Sequence, residues 1–299
     1  MTIRVDGDEW DLTSGVGVTA TMAAMVRAIA TRTGRLDDPF AAPLVRAVGI
    51  DLLTRLATGE QPADELVGPS VIDGAEVRTT FYDEFFLDAA GSGIRQVVIL
   101  AAGLDSRAYR LPWPRGTVVY EVDQPQVVAF KSTALADAVP TVELRAVPVD
   151  LRDDWPTALR AAGFDAARQS AWSAEGLLGY LPPDAQDRLL DTITELSVPG
   201  SRVATESRPT PRPGDEAGTK AGLHRISELW RAHGFDTDMA GLRYFGERHE
   251  AGPYLSALGW AVQASSTREL LAARGLGPLQ HDDLRMGELH YVSGTRGRG

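Results

Sequence analysis

The chain has 299 residues, 43% of them hydrophobic and 24% charged, with a formal net charge of −11 and no cysteine. That size and composition suit one large α/β domain, and the acidic balance argues against nucleic acid or an anionic membrane as partner. The missing cysteines exclude disulfides, thiolate catalysis and Cys-ligated metals.

Residues 1–15 read as a loose arm. Its acids Asp6, Asp8 and Glu9 leave no apolar core of signal-peptide length. No window approaches the ~20 consecutive apolar residues of a spanning helix, so a cytoplasmic protein is expected. Met22, Met25, Val26 and Ile29 fall at helical spacing and predict a helix over 16–33. Asp37-Asp38-Pro39 stops it, and Pro39 is expected to open a second helix running to about Ala57. A polar loop follows to Pro69. Val77, Phe81 and Phe85 then mark an amphipathic helix ending near Gly91-Ser92-Gly93. Residues 1–93 are therefore read as a helical cap.

From Arg95 short apolar runs alternate with helical segments. Strands are predicted near 96–102, 117–122, 142–148, 169–175 and 200–206. Helices are predicted near 105–110, 125–138, 156–162 and 184–196. This alternation over 94–207 argues for a right-handed, doubly wound parallel sheet. Residues 208–253 interrupt it with Pro209-Thr210-Pro211-Arg212-Pro213-Gly214 and a short helix around Ile226–Trp230, read as a lid or substrate-shaping insertion. The segment 254–299 returns to the sheet through Trp260–Ala264, a helix through Glu269-Leu270-Leu271 and a final strand near 288–292.

The residues with most chemical content lie at the strand ends. The first strand runs Val97-Val98-Ile99-Leu100 into the small turn Ala101-Ala102-Gly103, and the second ends Glu121-Val122-Asp123. A small turn lets the backbone approach a nucleotide-like cofactor, and a carboxylate about twenty residues later can take ribose hydroxyls. By itself the turn is equally a tight strand-to-helix connection without a ligand. Glu121 and Asp123 tip the reading, because two acids ending an apolar strand cost desolvation unless something uses them. Alternation along a strand lets both share a face and reach one sugar.

Asp150 and Leu151 end the third strand, where they suit an adenine amino group and an apolar wall; the competing reading is that Asp150 caps the next helix. Glu175, after the fourth strand, lies at the same cofactor edge, as a ligand contact or as a turn cap. Tyr180 is a candidate for orienting the acceptor or for the core. Glu206 closes the fifth strand beside the same cleft. The histidines 224, 233, 249, 281 and 290 show no metal-ligand spacing, so no metal site is expected. His224 and His249 would be the better placed general bases, if one is used. Leu223, Ile226, Leu229, Trp230, Leu242, Tyr244 and Phe245 either wall an apolar acceptor pocket or dock the insertion.

The order and spacing of Ala102-Gly103-Leu104-Asp105-Ser106-Arg107, Tyr120-Glu121-Val122-Asp123-Gln124-Pro125 with Lys131, Asp150-Leu151, and Glu175-Gly176-Leu177-Leu178-Gly179-Tyr180-Leu181 resemble the leucine carboxyl methyltransferase family. The closer likeness is to its actinobacterial branch of S-adenosyl-L-methionine-dependent methyltransferases, from about Ala20 to Val292. The resemblance implies a class I methyltransferase, Rossmann-like fold: a seven-stranded sheet whose last strand is antiparallel. It also implies that Gly103 lies beneath the methionine part of S-adenosyl-L-methionine, that Asp123 with Glu121 binds the ribose, and that Asp150 and Leu151 hold the adenine. Arg78 matches the family arginine that pairs with the cofactor carboxylate, a bidentate contact suited to guanidinium; otherwise it is an exposed salt-bridge partner. Arg27 matches a basic position of the first helix, with the same alternative. The implied activity is transfer of a methyl group to an oxygen of a small apolar acceptor, a carboxylate or another acidic oxygen. Two other readings stay open: a non-catalytic protein that binds S-adenosyl-L-methionine, and a nicotinamide-dependent oxidoreductase. The second lacks both a full glycine fingerprint and a Tyr-xxx-Lys pair.

Overall fold

The computed structural model describes residues 12–13, 15–208, 215–278 and 289–297. In chain order the elements are α1 (Gly17–Arg32), α2 (Ala41–Val48), α3 (Asp51–Thr58), α4 (Pro69–Gly91), β1 (Gln96–Leu100), α5 (Arg107–Arg110) and β2 (Val118–Asp123). Then come α6 (Pro125–Ala134), β3 (Glu143–Pro148), α7 (Trp155–Ala161), β4 (Ser170–Ala174), a 3₁₀ turn at Leu178–Tyr180, α8 (Pro183–Glu195) and β5 (Arg202–Ser207). The chain ends with α9 (Asp215–Ala232), α10 (Ala251–Ala257), β6 (Trp260–Ser266), α11 (Thr267–Ala273) and β7 (His290–Arg296).

The chain divides into two compact units. The sheet unit draws on described residues between 80 and 208, 247 and 266, and 289 and 297; the helical unit draws on those between 12 and 79, 215 and 246, and 267 and 278. The boundary falls inside α4, between Thr79 and Thr80.

In the sheet unit the strand order is β3-β2-β1-β4-β5-β7-β6. β7 runs antiparallel to β5 and β6, and the other pairings are parallel. This is the seven-stranded arrangement with an antiparallel last strand. All residues of β1 and β4 are buried, and apart from Gln96, whose side chain bonds the Asp165 backbone, they are small or apolar: parallel strands covered on both faces have no polar side. The chain winds outward from β1 through β2 to β3, and from β4 to β5 in the other direction. The C-terminal ends of β1 and β4 are therefore the topological switch point, where doubly wound sheets bind ligands. α6, α7 and α8 each carry proline in their first turn, at Pro125, Pro156 and Pro183. A missing N–H costs nothing there, and the fixed φ sets the turn out of each strand.

Within the helical unit two expectations are corrected. The helix predicted to run to Ala57 is two helices, because Gly49 takes φ 83° and ends α2 in a left-handed cap. The short helix expected around 226–230 is the end of the 18-residue α9. Gly218 and Gly222 hide its first half from propensity, whereas a Glu216–Lys220 pair at 2.6 Å supports it. Leu223, Met239 and Ala240 form a small core against which Met22, Ile226, Leu242 and Phe245 pack. Those aromatic and aliphatic residues of the insertion thus dock on α1 within this unit, and Leu229 is left exposed. The predicted arm, the Pro209–Gly214 stretch, His281 and the start of the last predicted strand lie outside the described residues or only partly within them.

Candidate active site

The site begins where β1 ends. Ala101 has φ 51° and Gly103 φ 49°. Alanine in this left-handed region costs on the order of 1 kcal/mol, so the turn is imposed by its surroundings. Those surroundings are the end of β2: the Ala102 N–H donates to Val122 O at 3.2 Å, and the Gly103 N–H donates to Asp123 Oδ2 at 2.6 Å. The Gln124 N–H donates to the other carboxylate oxygen at 2.7 Å. Burial raises the pKa of Asp123, opposed by these two backbone donors. A carboxylate offers about four acceptor positions. Two are taken by the N–H groups of Gly103 and Gln124.

Glu121 does not join Asp123 at the strand end. It is buried, and its Oε2 accepts from Lys131 Nζ at 2.7 Å, while Oε1 has no hydrogen-bond partner among the described residues. Burial raises its pKa, with Lys131 pulling the other way. Lys131, from the second turn of α6, claims this carboxylate.

At the end of β3, Asp150 accepts from the Arg152 N–H at 2.8 Å and from its guanidinium at 3.0 and 2.7 Å, and also from Gln124 Nε2 at 2.9 Å. Burial would push its pKa up, yet the Arg152 bonds outweigh that and hold it below the ordinary aspartate value. Asp150 does not cap α7; Asp154 does, accepting from the Thr157 N–H at 3.2 Å. Leu151 packs against the main apolar core of the sheet unit.

Glu175 follows β4 and accepts from Arg107 Nη1 at 2.8 Å. Arg107 is itself buried and also bonds Asp105 and, through Nε at 2.7 Å, Asp83. Asp83 takes a bidentate pair from Arg110 at 2.6 and 2.7 Å. Burial disfavours a charged Arg107, but the carboxylates of Asp105, Glu175 and Asp83 more than offset it, and its pKa is raised. Glu206, at the end of β5, accepts from the Gly176 N–H at 2.6 Å and from the Tyr82 hydroxyl. Tyr180 ends the 3₁₀ turn and is half-buried rather than core. Arg248 steadies that turn, donating to Leu178 O at 2.7 Å and Leu181 O at 3.2 Å.

Asp83 and Arg248 stood out in no sequence motif, and Arg107 entered only as the last residue of the glycine-turn motif. One signal was available: Asp83 stands inside Phe81-Tyr82-Asp83-Glu84-Phe85-Phe86, an acid in an aromatic run that predicts a buried partner. Arg78 is a half-buried residue of α4 in the helical unit. Arg27, in the same unit, donates through Nε to the buried Asp38 at 2.9 Å. Among the histidines, His249 bonds Asp187 at 2.8 Å and His224 is exposed. Among the described residues no group of three or more His, Cys, Asp and Glu side chains could hold a metal ion, and no helix is long and apolar enough to cross a membrane.

The model of the leucine carboxyl methyltransferase family matches residues 20–194. This chain belongs to the leucine carboxyl methyltransferase family. A family relative of Frankia alni, named "Putative S-adenosyl-L-methionine-dependent methyltransferase", is 70% identical over 99% of this chain and 98% of its own length. A relative of Mycobacterium avium with the same name is 63% identical over 97% of this chain and 98% of its own length. Among solved structures, one titled a putative methyltransferase from Thermobifida fusca covers 97% of both chains at TM-score 0.50 and 17% identity. A DUF574 family protein from Streptomyces avermitilis covers 91% of this chain and 96% of its own at TM-score 0.50 and 14% identity. These structural likenesses show the fold, which is that of the class I methyltransferases.

Proposed function

We propose that this family member uses S-adenosyl-L-methionine to methylate a carboxylate or another acidic oxygen of a small apolar molecule. The methyltransferase reading rests on family membership. The carrying observation for the cofactor is the Asp123 carboxylate, bonded to Gly103 across the ends of β1 and β2. The donor set fits the cofactor. Asp123 would take the ribose hydroxyls, the backbone at Gly103 the methionine portion, and Glu175 its amino group; Asp150, by exchanging one of its four present donors from Arg152 and Gln124, would take the adenine with Leu151. Glu121 would serve from behind, through Lys131.

Bound S-adenosyl-L-methionine supplies an electrophilic methyl on a sulfonium. What the protein must then do is align the acceptor and exclude water. The family's description names a carboxyl acceptor, and such a group is ionised at neutral pH and needs no general base. Tyr180, on the turn after β4, is proposed to orient the acceptor.

Calorimetry with S-adenosyl-L-methionine, S-adenosylhomocysteine and NAD(P)H tests the cofactor. Micromolar binding of the first two is expected, followed by turnover in a screen of apolar carboxylic acids. Binding of the nicotinamide alone would overturn the reading, and binding without turnover on any acceptor would favour a non-catalytic binder. Once an acceptor is known, Tyr180→Phe should raise its KM while leaving S-adenosylhomocysteine affinity unchanged.

A further inference from the structure

Arg107 is a heavily engaged cation of the sheet unit. Its guanidinium bonds three carboxylates from three separate segments: Asp83 on α4, Asp105 after the glycine turn, and Glu175 after β4. Its own N–H donates to Asp105 Oδ1 at 2.7 Å, and its carbonyl accepts from Trp113 Nε1 at 2.9 Å. The Tyr82 and Phe86 rings lie 5.5 and 6.0 Å from the guanidinium carbon. A planar fork so enclosed has one orientation, and each carboxylate it bonds inherits that orientation.

The consequence falls on Glu175. β1 and β4 are neighbours in register, with Val98 opposite Trp172 and Ile99 opposite Ser173, so the segments that follow them leave the sheet side by side. The glycine turn and Glu175 flank the switch point, and Arg107 ties the one to the other. We propose that Arg107 is a positioning residue, which fixes the Glu175 carboxylate against the glycine turn so that it can receive the ammonium of the cofactor's amino-acid end. This rests on the cofactor reading above. Free in solvent, a glutamate side chain would have to be ordered on binding, at a cost in conformational entropy. Held by Arg107, it is ordered beforehand. Asp83, gripped on its other side by Arg110, in turn anchors Arg107 to α4.

The test separates the amino-acid end from the nucleoside end. Binding of S-adenosylhomocysteine and of 5′-methylthioadenosine, which lacks the amino-acid group, is measured by calorimetry for the full chain and its variants. Arg107→Lys keeps the charge and loses the fork. It should weaken S-adenosylhomocysteine by about tenfold or more, the range for a lost hydrogen bond to a charged group, and leave methylthioadenosine unchanged. Glu175→Gln should give the same pattern, and the double variant should be no worse than Glu175→Gln alone. Asp83→Asn, which leaves both Arg107 and Glu175 in place, should give a smaller loss of the same selectivity and covers the case in which Arg107→Lys does not fold. Equal loss of both ligands, or undiminished S-adenosylhomocysteine binding, overturns the proposal. If the wild-type chain binds neither ligand, the cofactor reading itself has failed.

Discussion

Carboxylates stand at both the middle and the flank of one sheet edge, and they are held in opposite ways. Beside β1 and β4, Asp83, Asp105 and Glu175 converge on a buried Arg107, and behind β2 Glu121 is shut in with a buried Lys131. At the end of β3, Asp150 is held by Arg152, whose side chain is 43% exposed. The carboxylates Glu175 and Asp150 are alike in exposure, at 20% and 19%; their cations are not, with Arg107 at 4% and Arg152 at 43%. A buried pair that loses one partner strands the other without water, whereas an exposed carboxylate is simply rehydrated. The interior carboxylates are therefore set when the chain folds, and the flanking one can still adjust to a ligand.

The sharpest way to break this contrast is Lys131→Met. Stranding the Glu121 charge should cost about 3–5 kcal/mol, read as a lowered denaturant midpoint. A cost like that of a surface pair would refute the claim that burial decides. The sign with pH is also set. Glu121 has its pKa raised in the fold, so its contribution to stability is present below the unfolded pKa and is lost as pH rises through the folded one. Lys131→Met should move the end of that loss to higher pH, and adding Glu121→Gln should abolish it.

Asp123 lies between the two extremes. Asp123→Ala should weaken S-adenosylhomocysteine about tenfold or more, since hydrogen bonds to a charged acceptor are lost. Unchanged affinity would remove Asp123 from the ribose. Because burial raises its pKa, protonation on acidification should begin to erode affinity above the ordinary aspartate value of 3.8, and Asp123→Asn should flatten that dependence.

The smallest effect is expected at the flank. Arg152→Ala should change stability by less than about 1 kcal/mol, as for exposed pairs generally. Asp150 has its pKa lowered, so its contribution is present above the unfolded pKa and is lost as pH falls through the folded one. The same variant should shift that loss back toward the ordinary aspartate range. A large destabilisation would place Asp150 with the interior carboxylates after all.

The sequence by itself determined the spans and the winding of the sheet unit. Apolar runs, proline-opened helices and the small turn at Gly103 are local patterns, readable within a window of ten or twenty residues. Asp123 was legible for the same reason, since the final residue of a strand next to a ligand edge has one obvious use. Three kinds of decision belonged to the tertiary structure. The full length of α9 depended on its setting within the helical unit, which overrides propensity at Gly218 and Gly222, whereas the break at Gly49 is a local glycine cap. Asp154 caps α7 because it immediately precedes it, and what holds Asp150, four residues back, includes Gln124, which only the fold brings near. Above all, the partners of Glu121 and Glu175 were set by segments that the strand order brings together, with Asp83 and Glu175 far apart in the chain. Periodicity is written along the chain, whereas the choice of ion pair is made in space, where burial leaves each charge only the neighbours the fold provides.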